Sequence, residues 1–117
     1  MNQDLKIYEK WMKHALIEAI KGLDEGEVPV GAIVVKDNRI IGKGYNQVES
    51  LNDSTAHAEM IAITSASNTN NDWRLDDSFL FVTKEPCPMC AGAILNSRIR
   101  GIVYGLADEK WGSCGSY

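Results

Sequence analysis

From Asp4 to Leu23 the apolar residues Tyr8, Trp11, Met12, Ala15, Leu16, Ala19, Ile20 and Leu23 return every three or four positions. That spacing predicts a helix burying one stripe along its length. Gly22 and Gly26 flank an acidic turn, after which Val30-Gly-Ala-Ile-Val-Val35 reads as a buried strand. Lys36-Asp-Asn-Arg39 is a short polar turn into Ile40-Ile41, so these two strands should form an antiparallel hairpin. Tyr45 to Ser54 is polar, shows neither periodicity, and is expected to be a loop. A second helix is predicted from about Ala56 to Ser67. Its inner face would be Met60, Ile61, Ile63 and Thr64, with Asp53, Ser54 or Thr55 as its cap. Beyond the turn-rich Asn68-Thr-Asn-Asn-Asp72 come a third strand, Phe79–Val82, a helix from Cys90 to Ser97 opened by Pro88, and a fourth strand, Ile102–Tyr104.

The order helix, strand, strand, helix, strand, helix, strand implies an α/β fold in three layers, helices covering both faces of a central mixed sheet. At least the last strands should run parallel. The second and third helices each follow a segment leaving a strand's carboxyl end, so both should start at one edge of the sheet. Residues at those starts can share a site.

Composition narrows the class. A chain of 117 residues, 44% hydrophobic and 24% charged, suits one compact domain. The amino terminus lacks the basic and apolar stretches of a secretory signal, and no apolar run nears the ~18 residues a membrane span needs, so a cytoplasmic location is expected. The net charge of −4 gives no overall footprint for nucleic acid, so any RNA contact must rest on local basic residues. Three cysteines, two of them in a CxxC, point away from a disulfide framework and towards metal ligation. Cys114 is left over as a structural or incidental thiol, and His14 lies beside the first helix's stripe as a boundary residue.

The chemistry concentrates in His57-Ala-Glu59 and Pro86-Cys87-Pro-Met-Cys90. Cys87 and Cys90 stand three apart across a first helical turn, which lets both sulfurs approach one ion, and a helix amino terminus favours thiolates. His57 would supply a third ligand from the other helix. Three protein ligands leave zinc's fourth position to a water whose pKa falls to about 7, and Glu59 is then the spare carboxylate that moves protons. One geometric condition follows. On an ideal helix His57 and Glu59 would point about 200° apart, so they serve one site only if it lies off the helix's starting end.

H-x-E with P-C-x-x-C is the established signature of zinc nucleobase deaminases. Beyond the signature, the chain resembles the bacterial wobble tRNA adenosine deaminases of the cytidine/deoxycytidylate deaminase superfamily. The likeness runs from about Tyr8 to Ser116, through Trp11-Met-Lys-His-Ala-Leu16, Gly26-Glu-Val-Pro-Val-Gly-Ala32, Asn52-Asp-Ser-Thr-Ala-His-Ala-Glu59, Val82-Thr-Lys-Glu-Pro-Cys-Pro-Met-Cys-Ala-Gly-Ala93 and Ser97-Arg-Ile99. The resemblance implies one cytidine-deaminase-like domain over residues 1–117, incomplete at its carboxyl end because the family continues through a fifth strand and a last helix. It implies a dimeric, zinc-dependent enzyme, with one zinc per subunit, that converts adenosine to inosine at the wobble position of a tRNA anticodon. By position, His57, Cys87 and Cys90 would bind zinc, Glu59 would shuttle protons, and Asn46 with the Ala58 backbone would contact a flipped base.

Ser54 stands where the family usually has proline, and Pro-Cys-Pro-Met-Cys also resembles free-base guanine and cytosine deaminases. A free-base or nucleoside deaminase is therefore a second reading, and a non-catalytic zinc subunit of a tRNA deaminase a third. Lys84, Arg98, Arg100 and Lys110 lie near the motif in sequence as candidate phosphate contacts, and Trp111 as a candidate base-stacking residue.

Overall fold

A computed structural model describes residues 3–105. Its elements are α1 (Gln3–Asp24), β1 (Gly31–Lys36), β2 (Arg39–Tyr45), α2 (Val48–Leu51), α3 (Ala58–Asn70), β3 (Ser78–Val82), α4 (Pro88–Asn96) and β4 (Gly101–Tyr104). The strands form one sheet in the order β2-β1-β3-β4. β1 pairs antiparallel with both β2 and β3, whereas β3 and β4 run parallel, as the sequence predicts for the last pair. In the hairpin turn Asp37 and Asn38 both take positive φ, 51° and 60°. Two such residues are the requirement of a type I′ turn, whose twist matches its flanking strands.

β1 is central and buried on both faces. Ala32 and Val34 pack with α3, while Ile33 and Val35 pack with Trp11 of α1 and Phe81. That two-sided burial is why its sequence is an unbroken apolar run. α1 lies on one face, and α3 with Ile94 of α4 on the other, completing the three layers. Because β2 and β3 both run antiparallel to β1, their carboxyl ends lie at the same edge, and α3 and α4 start there. β1 enters the sheet at that edge.

Three local expectations differ from the structure. The buried face of α3 is Ala58, Glu59, Ala62, Ile63 and Ala66, while Thr64 is exposed and Met60 and Ile61 are half-buried. The reason is close approach: a Cβ on Gly42 would strike the Ala62 carbonyl and the Ala66 amide, and one on Gly44 would lie 2.7 Å from the Ala58 carbonyl oxygen. Only small residues fit between α3 and β2. Along α1 the buried positions are Trp11, Ala15, Glu18, Ala19 and Gly22, and Tyr8, Leu16, Ile20 and Leu23 are exposed, so the apolar stripe is wider than the buried one. The segment Tyr45–Ser54 contains the single turn α2, too short to show a helical period.

Candidate active site

The helix starts carry the chemistry. His57 is the residue before α3, with extended φ −79° and ψ 153°, and Cys87 is the residue before α4, with φ −75° and ψ 173°. Such cap positions ordinarily use their side chains to satisfy helix amides. Neither does so here, which leaves imidazole and thiol for another partner. Pro88 opens α4 without an amide hydrogen to satisfy, and Cys90 follows on the first turn. His57 Nδ1 lies 3.6 Å from Cys87 Sγ and 3.5 Å from Cys90 Sγ. Tetrahedral zinc with bonds of about 2.05 Å to nitrogen and 2.3 Å to sulfur separates the two kinds of donor by about 3.6 Å. The donor set and its spacing fit zinc. Among the described residues this is the one cluster of three such ligands.

Burial pushes the Cys90 thiol well above its usual pKa, and the negative charges of Glu59 and Cys87 push it further. The helix amino terminus therefore does not by itself make this thiol a thiolate. A divalent cation reverses the balance, because it favours the charged form of every ligand around it.

Glu59 is the second residue of α3 and only 4% exposed. Burial raises its pKa, opposed by an amide hydrogen bond, the Cys90 side chain and the positive charge of Lys84. The 200° separation feared for an ideal helix does not arise, since His57 sits outside the helix. Both residues line one cavity of about 330 Å³, with Asn46 and Cys87. Asn46 Oδ1 accepts the Ala58 N–H at 2.9 Å. The Ala58 amide hydrogen is thus committed to Asn46, and the side-chain Nδ2 of Asn46 keeps no protein partner among the described residues.

Of the basic candidates, Lys84 lines this cavity. Arg98 and Arg100 do not: they follow α4 at its far end, about 13 Å along a nine-residue helix. The Arg98 guanidinium lies 5.6 Å from the Trp73 ring centre instead. Lys110, Trp111 and Cys114 fall outside the described residues. Sequence reading missed Val28, Val30 and Glu85 in the cavity wall. Their only signal is position, at the entry to β1 and immediately before the Pro-Cys pair.

Comparison with known proteins agrees with this geometry. Residues 7–113 match the MafB19-like deaminase family. This chain belongs to it. The deaminase is 54% identical over 109 residues to the chloroplastic tRNA(adenine(34)) deaminase of Arabidopsis thaliana, covering 93% of this chain and 8% of that one. It is 45% identical over 116 residues to the tRNA-specific adenosine deaminase of Bacillus subtilis, covering 99% of this chain and 70% of that one. Relatives of that name in Streptococcus pyogenes are 47% identical, and the deaminase spans 62% to 67% of their length. A structure solved in studies of A-to-I editing by tRNA:A34 deaminases superposes with a TM-score of 0.90 at 43% identity, covering 93% and 84% of the two chains. Guanine deaminase from Bacillus subtilis superposes at 0.82 with 41% identity, covering 92% and 66%. The three-layer fold is therefore that of the cytidine-deaminase-like enzymes.

Proposed function

We propose that this deaminase hydrolyses the exocyclic amine of a nucleobase with the help of zinc, and that its substrate is adenosine at the tRNA wobble position, converted to inosine. The observation that carries the reading is one cavity holding a zinc-spaced His57, Cys87 and Cys90 beside a buried carboxyl group, Glu59. One zinc ion per subunit, held by those three side chains, supplies the Lewis acidity that makes water nucleophilic near neutral pH.

The protein's own residues do the rest. The attacked carbon is inaccessible in a base stack, so the nucleotide is flipped into the cavity, where the free Nδ2 of Asn46 donates to the base and the Ala58 amide holds Asn46 in place. Glu59 takes a proton from the attacking water and passes it to the adjacent ring nitrogen. It then delivers a second proton to the amine as the carbon–nitrogen bond breaks, releasing ammonia and leaving a carbonyl. Its raised pKa suits a group that must both hold and release a proton. Lys84 meets a phosphate at the cavity, while Arg98 and Arg100 reach only RNA that extends past α4. The working form is a cytoplasmic homodimer, and among the described residues no helix is long and apolar enough to cross a membrane.

The test is inosine formation in an anticodon stem-loop carrying a wobble adenosine, with full-length zinc-loaded protein and Glu59→Ala as control. Conversion lost in the variant supports the reading. The similarity to a guanine deaminase favours one second reading, a free-base purine deaminase. Ammonia released from guanine, with none from the stem-loop, would select it.

A further inference from the structure

The acidic turn Glu25-Gly26-Glu27 does more than connect α1 to β1. α2 has no cap of its own, because Gln47 at its N-cap makes no side-chain hydrogen bond to it. Its first amides would be orphan donors. Glu27 arrives from another segment to satisfy them: Oε1 accepts the Glu49 N–H at 3.1 Å and Oε2 accepts the Ser50 N–H at 2.7 Å. Glu27 is only 4% exposed. Burial works against its charge, but the two amides and the Ser50 side chain outweigh burial and hold its pKa below the ordinary value. A second tie joins the same segments, since the Tyr45 hydroxyl donates to Glu25 Oε2 at 2.7 Å. The turn is itself fixed by Gly26 at φ 80° and by the Glu27 N–H, which donates to the Gly22 carbonyl at 2.9 Å.

Both sides of this clamp reach the cavity. Val28 and Val30 follow Glu27 and form one wall, and Asn46 precedes α2 and forms the next. At the cavity the walls are joined by the Asn46 N–H, which donates to the Val30 carbonyl at 3.2 Å. Behind it, the Glu27 carboxylate is the remaining link between the two segments.

We propose that Glu27 is a positioning residue for the base pocket: its carboxylate anchors α2 to the segment that carries Val28 and Val30, and so fixes where Asn46 presents its side-chain amide. The inference rests on Asn46 meeting the base. Glu27 acts on binding through Asn46, and the proton transfers of Glu59 do not pass through it.

The experiment compares Glu27→Ala, Glu27→Gln, Asn46→Ala and the Glu27→Ala/Asn46→Ala double variant in full-length zinc-loaded protein on the stem-loop. Loss of two charge-assisted hydrogen bonds in Glu27→Ala should raise KM about tenfold while kcat stays within about twofold. Glu27→Gln keeps an acceptor oxygen and should show a smaller rise. Zinc content should match the wild type, the Glu49 and Ser50 amides should exchange faster, and the double variant should be no worse than Asn46→Ala. Unchanged exchange, an unchanged KM despite faster exchange, or fully multiplicative effects in the double variant would each overturn the proposal. A wild type inactive on the stem-loop would refute the substrate reading alone. The same four variants would then be compared by their dissociation constants for free guanine, under the same criteria.

Discussion

Glu59 and the three zinc-spaced ligands make unequal demands on their neighbours, and substitutions should separate them. Glu59→Gln keeps shape while removing the proton carrier, so deamination should fall by about a thousandfold with zinc content unchanged, as read by steady-state rate and metal analysis. Cys90→Ser should lose the metal as well as the activity. These residue types and spacings were legible in the sequence, because ligand chemistry is a property of the side chain. The use of the Ala58 amide was not, since it is spent on a residue twelve positions earlier. Asp53 gives a different test. Its carboxylate accepts the Thr55 amide at 2.8 Å and the Thr55 hydroxyl at 2.7 Å, and these bonds lower its pKa. A lowered pKa contributes stability that is present above the unfolded value, about 3.9, and lost as pH falls through the folded value. Asp53→Asn should therefore lower Tm at pH 7, and the gap should close in melts near pH 3.

At the scale of elements, the periodicity found every long helix and all four strands but misjudged which faces they bury. α3 shows why. Its contact with β2 is made by Ala58, Ala62 and Ala66 against Gly42 and Gly44, and apolar size is a poor guide where backbones nearly touch. Gly44→Ala would force α3 and β2 apart and should cost about 1–3 kcal/mol in denaturant unfolding. An unaltered midpoint would mean that the two elements can separate freely. The cap of α3 was misplaced for a related reason: Asp53 spends its carboxylate on the Thr55 turn, and the cap position holds a metal ligand. α2 escaped notice because four residues carry no period and its amides are satisfied by Glu27, a partner that only the folded chain brings near.

For the whole molecule, the metal centre joins two helices that otherwise meet sparsely, one following β2 and one following β3. Removing zinc with a chelator should abolish deamination and lower Tm, and the loss of stability should shrink as free zinc is titrated back, following the linkage between ligand concentration and folding. The layer arrangement and the convergence of helix starts could be read from element order alone. The sheet direction that produces the convergence belongs to β1, which runs opposite to both neighbours. Because His57 and Cys87 both stand before their helices, the metal-binding geometry is independent of helical phase downstream. A turn added or removed beyond Ala66 would shift everything that follows without rotating a ligand. Such a design leaves the distal halves of α3 and α4 free to diversify while the reaction stays the same.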